Sequence, residues 1–266
     1  MPIGTPLHER TFPLCESLNY REWSGYYTVS AYESHHEHEY NAIRNAAALI
    51  DVSPLFKCMV TGPDAARLVD RLITRDVSKM TVGQVFYTPW CDEHGKVIDD
   101  GTVSRLGDET FRWTAADAEP AVVPAERPRD ERPDRGRVGR DRRGRAAGAD
   151  VREAAARGGE GGDRSPEVFP RDQRHHRRRA RRHLAHRVYG DLGYEIWMPA
   201  ARALDVWDAL MEGGRPFDIK PAGMLALDVA RIEAGLLLIE VDFFSSRKAM
   251  IASQMYTPTS SGWAAW

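Results

Sequence analysis

Between Arg127 and Arg187 the chain concentrates 20 of its 32 arginines and holds only five residues of the types Val, Ile, Leu, Met, Phe, Tyr and Trp. Folding must offset about 1–2 kcal/mol of backbone ordering entropy per residue, and so few apolar side chains fall far short of that. This stretch cannot be an ordinary core segment, so the core is drawn from the residues on either side. The net charge of -2 hides the asymmetry by averaging over it. A chain of 266 residues is long enough for one large domain or two ordinary ones.

Three cysteines, Cys15, Cys58 and Cys91, are widely spaced and odd in number, which argues against a disulfide framework and against a paired-cysteine metal site. A reducing, cytoplasmic setting is the expectation. The N-terminus shows no basic-then-apolar pattern, and no apolar run approaches the roughly 20 residues of a membrane helix, so no membrane association is expected.

Periodicity divides the rest into elements. Ser34 and Glu37 have the spacing of a capping box, and Ile43, Ala46, Ala47 and Ile50 recur at helical intervals, predicting a helix that runs toward Asp51. Phe56 to Val60 reads as a strand, followed by a helix from Pro63 whose buried face carries Ala65, Leu68, Val69, Leu72 and Ile73. Strands are then predicted at 84–91, 96–106 and 110–115, with turns at 92–95 and at Gly107-Asp108, forming an antiparallel meander. After the arginine-rich stretch, Gly193 to Met198 is strand-like, Pro199 opens a helix carrying Leu204, Trp207, Leu210 and Met211, and Ala222 to Ala234 is a further helix before an apolar strand at Leu236–Ile239. Together these predict an α+β fold of antiparallel sheets with packed helices.

The block from Tyr40 to Ser53, then Thr61-Gly-Pro-Asp64, Tyr87 and Gly95-Lys-Val-Ile-Asp-Asp100, resembles the glycine-cleavage T-protein superfamily in order and spacing. So does a second block: Gly190-Asp-Leu-Gly-Tyr-Glu195, Val206-Trp-Asp-Ala-Leu210, Pro221-Ala-Gly223 and Ala230-Arg-Ile-Glu-Ala234. The resemblance covers roughly two thirds of the chain. It implies a folate-binding N-terminal part at 1–118, a middle part at 189–258, an aberrant tail at 259–266 and no third, barrel-like domain. Residues 119–188 are expected to be disordered.

The arginine-rich stretch behaves as the right gene in the wrong frame. With suitable synonymous codons, His175 to Val188 shifted by one base reads Ile-Thr-Val-Asp-Val-Arg-Val-Val-Thr-Ser-Arg-Thr-Gly, an alternating strand ending in a family motif. Ala147 to Arg152 similarly becomes Gln-Gly-Pro-Thr-Ser. Thr259 to Trp266, shifted the other way, becomes Tyr-Glu-Leu-Gly-Leu-Gly-Arg-Leu-Val, which resembles the entry to the third domain.

The resemblance assigns a catalytic carboxylate to Asp100, where a carboxylate orients the folate amine and stabilises positive charge. It places Tyr87 and Tyr189 beside the cofactor and Glu195 on the donor edge of the pterin. The family tyrosine falls in register with Val188, and Tyr189 stands next to it. The implied cofactor is tetrahydrofolate. The implied partners are an aminomethyl or methylamine-type donor and a lipoyl-bearing carrier protein. Leu227 replaces a common arginine and Thr114 a common asparagine; with Asp100-Gly-Thr-Val103 these look more like the demethylating relatives. Missing strands would leave sheet edges unpaired and a pocket wall absent, so weak or no turnover is expected.

Two other readings compete. His175-His-Arg-Arg-Arg-Ala-Arg-Arg-His183 has the charge of a phosphate-binding arm but no interleaved aromatics, which limits it to nonspecific nucleic-acid binding. The chain also reads as a folate-binding remnant without turnover. His35, Glu37 and His38 have no distant cysteine or histidine cluster to complete a metal site, and a solvated helix start is expected there.

Overall fold

The structure, a computed structural model, describes residues 1–116, 137–140, 147–152, 181–186 and 193–260. Along the chain come β1 (Ile3–Gly4), α1 (His8–Thr11), β2 (Asn19–Trp23), β3 (Tyr26–Ala31), α2 (Glu37–Asn45), β4 (Ala47–Asp51), β5 (Phe56–Thr61), α3 (Ala65–Leu72), β6 (Val85–Cys91), β7 (Val97–Gly107) and β8 (Thr110–Ala115). The remainder is β9 (Arg137–Arg140), β10 (Ala147–Arg152), β11 (Arg181–His186), β12 (Gly193–Met198), α4 (Ala203–Gly214), β13 (Ile219–Ala222) and α5 (Met224–Glu233). Helices packed on largely antiparallel sheets give the α+β class expected from the sequence.

Two compact units interleave in sequence: Met1–Pro54 with Arg143–Leu236, and Leu55–Arg142 with Leu237–Trp266. In the first, a five-stranded sheet has the order β11-β12-β10-β4-β13, and a small sheet has the order β1-β3-β2. Helix α4 buries Trp207 and Leu210 against Leu49 of β4 and Met198 of β12. Glu39 of α2 is almost fully buried, and its carboxylate accepts from the backbone N–H groups of Tyr32 (2.7 Å), Glu33 (3.3 Å) and Gly223 (2.6 Å). It thereby ties the end of β3 to the start of α5. Gly223 fits there because an added Cβ would lie 2.5 Å from the Ser30 carbonyl oxygen.

In the second unit the sheet order is β6-β7-β8-β5-β9, antiparallel throughout. One face is apolar and packs under α3: Cys58, Val60, Trp90, Val103, Phe111 and Trp113 meet Ala65, Val69 and Ile73. Trp90 and Trp113 meet edge to face at 4.8 Å between ring centroids, the arrangement that aromatic quadrupoles favour. The segment after Leu237 anchors the start of β7: Val97 donates its N–H to the Tyr256 carbonyl (2.8 Å) and accepts from Ser246 N–H (2.8 Å). Val97, Ile239 and Phe243 form a small core against which Tyr87, Cys91 and Tyr256 pack.

Three expectations are corrected. The helix beginning at Glu37 stops at Asn45, and Ala47–Asp51 is β4 instead of its continuation. All of Ala47, Ala48, Leu49 and Ile50 are buried, and a strand covered on both faces carries an unbroken apolar run that periodicity cannot tell from a helix. His36, not Ser34, is the N-cap, with no side-chain capping bond. Leu236–Ile239 is not a strand; only an isolated bridge joins Ile239 to Phe243. Short apolar runs carry helix, strand and loop equally well, and here the run serves packing. Three strands, β9, β10 and β11, are described within 119–188: β9 pairs with β5, β10 lies between β12 and β4, and β11 pairs with β12.

Candidate functional site

The site is built on the second unit's sheet, on the face away from α3. Side chains alternate along a strand, and direct cross-strand partners share a face. Register pairs Tyr87 with Thr102, Thr102 with Thr114, and Thr114 with Lys57, so these four form a row across β6, β7, β8 and β5. Asp100, Thr102 and Ser104 lie along β7 on that face, and Ser104 pairs with Arg112. A polar face in a sheet is ordinarily solvated, yet Asp100, Thr102, Ser104, Arg112 and Thr114 are all at least nine-tenths buried.

Asp100 is 6% exposed and its side-chain Oδ2 has no hydrogen-bond partner among the described residues. Burial pushes its carboxyl pKa well above the usual range, Asp99 adds like-charge repulsion, and a hydrogen bond from Tyr87 opposes both. Asp99 pairs with Trp90, whose ring lies in the core beneath α3, and its Oδ1 accepts from the Asp100 N–H (2.8 Å). The two adjacent aspartates thus face opposite ways, as strand geometry requires. Gly101 between Asp100 and Thr102 is forced by packing: an added Cβ would stand 2.0 Å from the Thr114 carbonyl oxygen.

Tyr87 and Asp100 are therefore brought together. Glu195 lies in the first unit, half-buried on β12, and its Oε2 accepts from Trp197 Nε1 (3.1 Å). Tyr189 lies outside the described residues, as do most of the basic run from His175 and the tail from residue 261. Leu227 is buried on α5. Among the described residues no group of His, Cys, Asp and Glu is placed to hold a metal ion. His38 instead meets Glu33 at 2.7 Å on the surface. No helix among the described residues is long and apolar enough to cross a membrane.

Thr102 escaped the sequence reading, although a signal existed. Asp100, Thr102 and Ser104 alternate with Gly101 and Val103, the pattern of a one-sided strand. Only the pairing with β8 shows that the polar side is buried.

The sequence model of the GCVT N-terminal domain family matches residues 16–124 and 182–254, and the chain belongs to that family. It is 30% identical over 262 residues to a trimethylamine-oxide aldolase of Ruegeria pomeroyi, covering 91% of this chain and 32% of that protein. It is 30% identical over 253 residues to an aminomethyltransferase of Saccharopolyspora erythraea, covering 89% and 65%. It is 32% identical over 256 residues to the gamma subunit of a heme-dependent oxidative N-demethylase of Ectopseudomonas mendocina, covering 89% and 62%. The chain spans from about a third to just under two thirds of these curated relatives. Its fold is similar to that of the glycine cleavage system aminomethyltransferase T from Bartonella henselae, with TM-score 0.71 and 19% identity over 97% of this chain and 67% of that one.

Proposed function

We propose that the chain carries the site of a tetrahydrofolate-dependent transferase that accepts a one-carbon unit from an aminomethyl donor. The observation that carries this reading is Asp100: a buried carboxyl with one orphaned oxygen, held by Tyr87, on a polar sheet face of a family member. An unpartnered buried acceptor costs free energy, and a hydrogen bond from a ligand amine offsets it. Tetrahydrofolate, when bound, supplies the nitrogen that takes up the carbon.

The residues present suit that group. Asp100, with its raised pKa, holds a proton readily and can either donate it or accept from a nitrogen. Once a cationic amine stands beside it, the ionised form is favoured and stabilises the charge. Tyr87 positions the carboxyl through its hydrogen bond. Glu195 and Tyr189 are proposed as further cofactor contacts.

A second reading, a related demethylase acting on a methylated amine or other methyl donor, is favoured by Leu227 and Thr114 and by the similarity to the gamma subunit of an oxidative N-demethylase. We read the arginine-rich stretch as an out-of-frame copy of family sequence; the gap between the matched blocks, 125–181, overlaps most of it and supports this. The same reading includes a lipoyl-bearing carrier protein as partner and a cytoplasmic location. The test is formation of methylene-tetrahydrofolate from an aminomethyl donor: turnover below that of intact relatives and abolished in Asp100→Asn supports the reading, and equal rates in the variant contradict it.

A further inference from the structure

Asp100 explains one orphaned atom on the polar face, but two others lie beside it. Thr102 Oγ1 and Thr114 Oγ1 are buried with no hydrogen-bond partner among the described residues. The two threonines are direct partners across β7 and β8, which puts their Cβ atoms about 4.5–5.5 Å apart. Two hydroxyls at that spacing can both donate to one small acceptor group. Their surroundings set its charge. Lys57 pairs with Thr114 on β5, and Arg112 stands two residues before Thr114 on the same face of β8. The only carboxyl among the named residues of this face, Asp100, lies two residues from Thr102 along β7, about 6.5–7 Å away. The face therefore carries the two hydroxyls with Lys57 and Arg112 toward one end and Asp100 toward the other.

We infer that Thr102 and Thr114, with Lys57 and Arg112 behind them, form a carboxylate-binding subsite beside Asp100. This rests on the reading of Asp100 as the amine-binding end. A ligand that fits both ends carries an amine and a carboxylate. Either an N-methylated amino acid or the glutamyl tail of the folate brings that carboxylate, and the chemistry of recognition is the same: two neutral donors closing on an anion, with positive charge nearby.

The test is calorimetric titration of the full chain with two matched pairs: N-methylglycine against dimethylamine, and tetrahydrofolate against a tetrahydropterin lacking the glutamyl tail. The same titrations are run on Thr102→Val and Thr114→Val, with thermal melting of each. In at least one pair the wild-type chain binds the carboxylate-bearing member roughly tenfold or more tightly, and each valine variant loses that preference. The pair that shows the effect identifies the source of the carboxylate. Melting temperatures of the valine variants hold or rise, because each removes a buried unpartnered hydroxyl.

Absence of a preference in both pairs overturns the subsite, and so does a preference that survives both substitutions. A fall in melting temperature also overturns it, by showing that the hydroxyls are engaged within the fold. If N-methylglycine is preferred while tetrahydrofolate does not bind, the subsite stands and the folate reading falls. If tetrahydrofolate binds and neither pair discriminates, the reverse holds.

Discussion

Tyr87 on β6 and Asp100 on β7 stand diagonally across an antiparallel pair, and the tyrosine hydroxyl donates to the buried Asp100 carboxyl. The bond favours the ionised form of Asp100 against burial and against Asp99. Tyr87→Phe keeps the ring against Val97 and Phe243 but deletes the donor. The Asp100 pKa in this variant is expected to rise further, read by NMR titration of the side-chain carboxyl; an unchanged pKa contradicts the coupling.

Asp100 also makes stability depend on pH. Its folded pKa is raised above its unfolded value, so the folded state binds more protons than the unfolded state between the two. Its contribution is greatest below the unfolded value of about 3.9 and is lost as pH climbs toward the folded pKa. Asp100→Asn removes that loss. Urea unfolding across pH should show the wild-type chain falling relative to the variant as pH rises; parallel curves count against a shifted Asp100.

Gly101 is required by the close approach of β7 to β8. Alanine there puts a methyl group against the Thr114 carbonyl, a backbone atom that moves only with its strand. Gly101→Ala is expected to cost about 1–3 kcal/mol or more in chemical denaturation, the range for overpacked interiors. A neutral substitution would show that the strands separate more easily than their packing implies.

Glu39 has a structural role in the first unit. Its two oxygens satisfy three backbone N–H groups at a buried junction. Glu39→Ala leaves these donors unpaired, at a cost of roughly 3 kcal/mol or more. Glu39→Gln preserves one acceptor and is expected to lose less, so the order of the two unfolding midpoints checks the account.

Much of the fold is legible in the residues. Thr110–Ala115 and Gly193–Met198 emerge as β8 and β12 with the expected ends, because alternation and turn residues mark them locally. Ala47–Asp51 misleads because burial on both faces erases the alternation. The N-terminal strands β1 to β3 have no sequence reading, since β2 and β3 mix polar and aromatic residues without a clean period. Asp100 and Tyr87 come from resemblance alone; by residue type they pass as a turn-proximal aspartate and a strand aromatic. The alternation of Asp100, Thr102 and Ser104 marks Thr102 as lying on a polar face, but a threonine facing water and one facing a buried polar surface are written identically in sequence.

Tetrahydrofolate binding at the Tyr87–Asp100 face, as proposed, is tested by calorimetric titration of tetrahydrofolate into the full chain and into Asp100→Asn. Saturable binding that weakens about tenfold or more in the variant is expected, the effect of losing a charge-assisted hydrogen bond, without a lower melting temperature. No binding by the wild-type chain, or equal affinity in the variant, contradicts it.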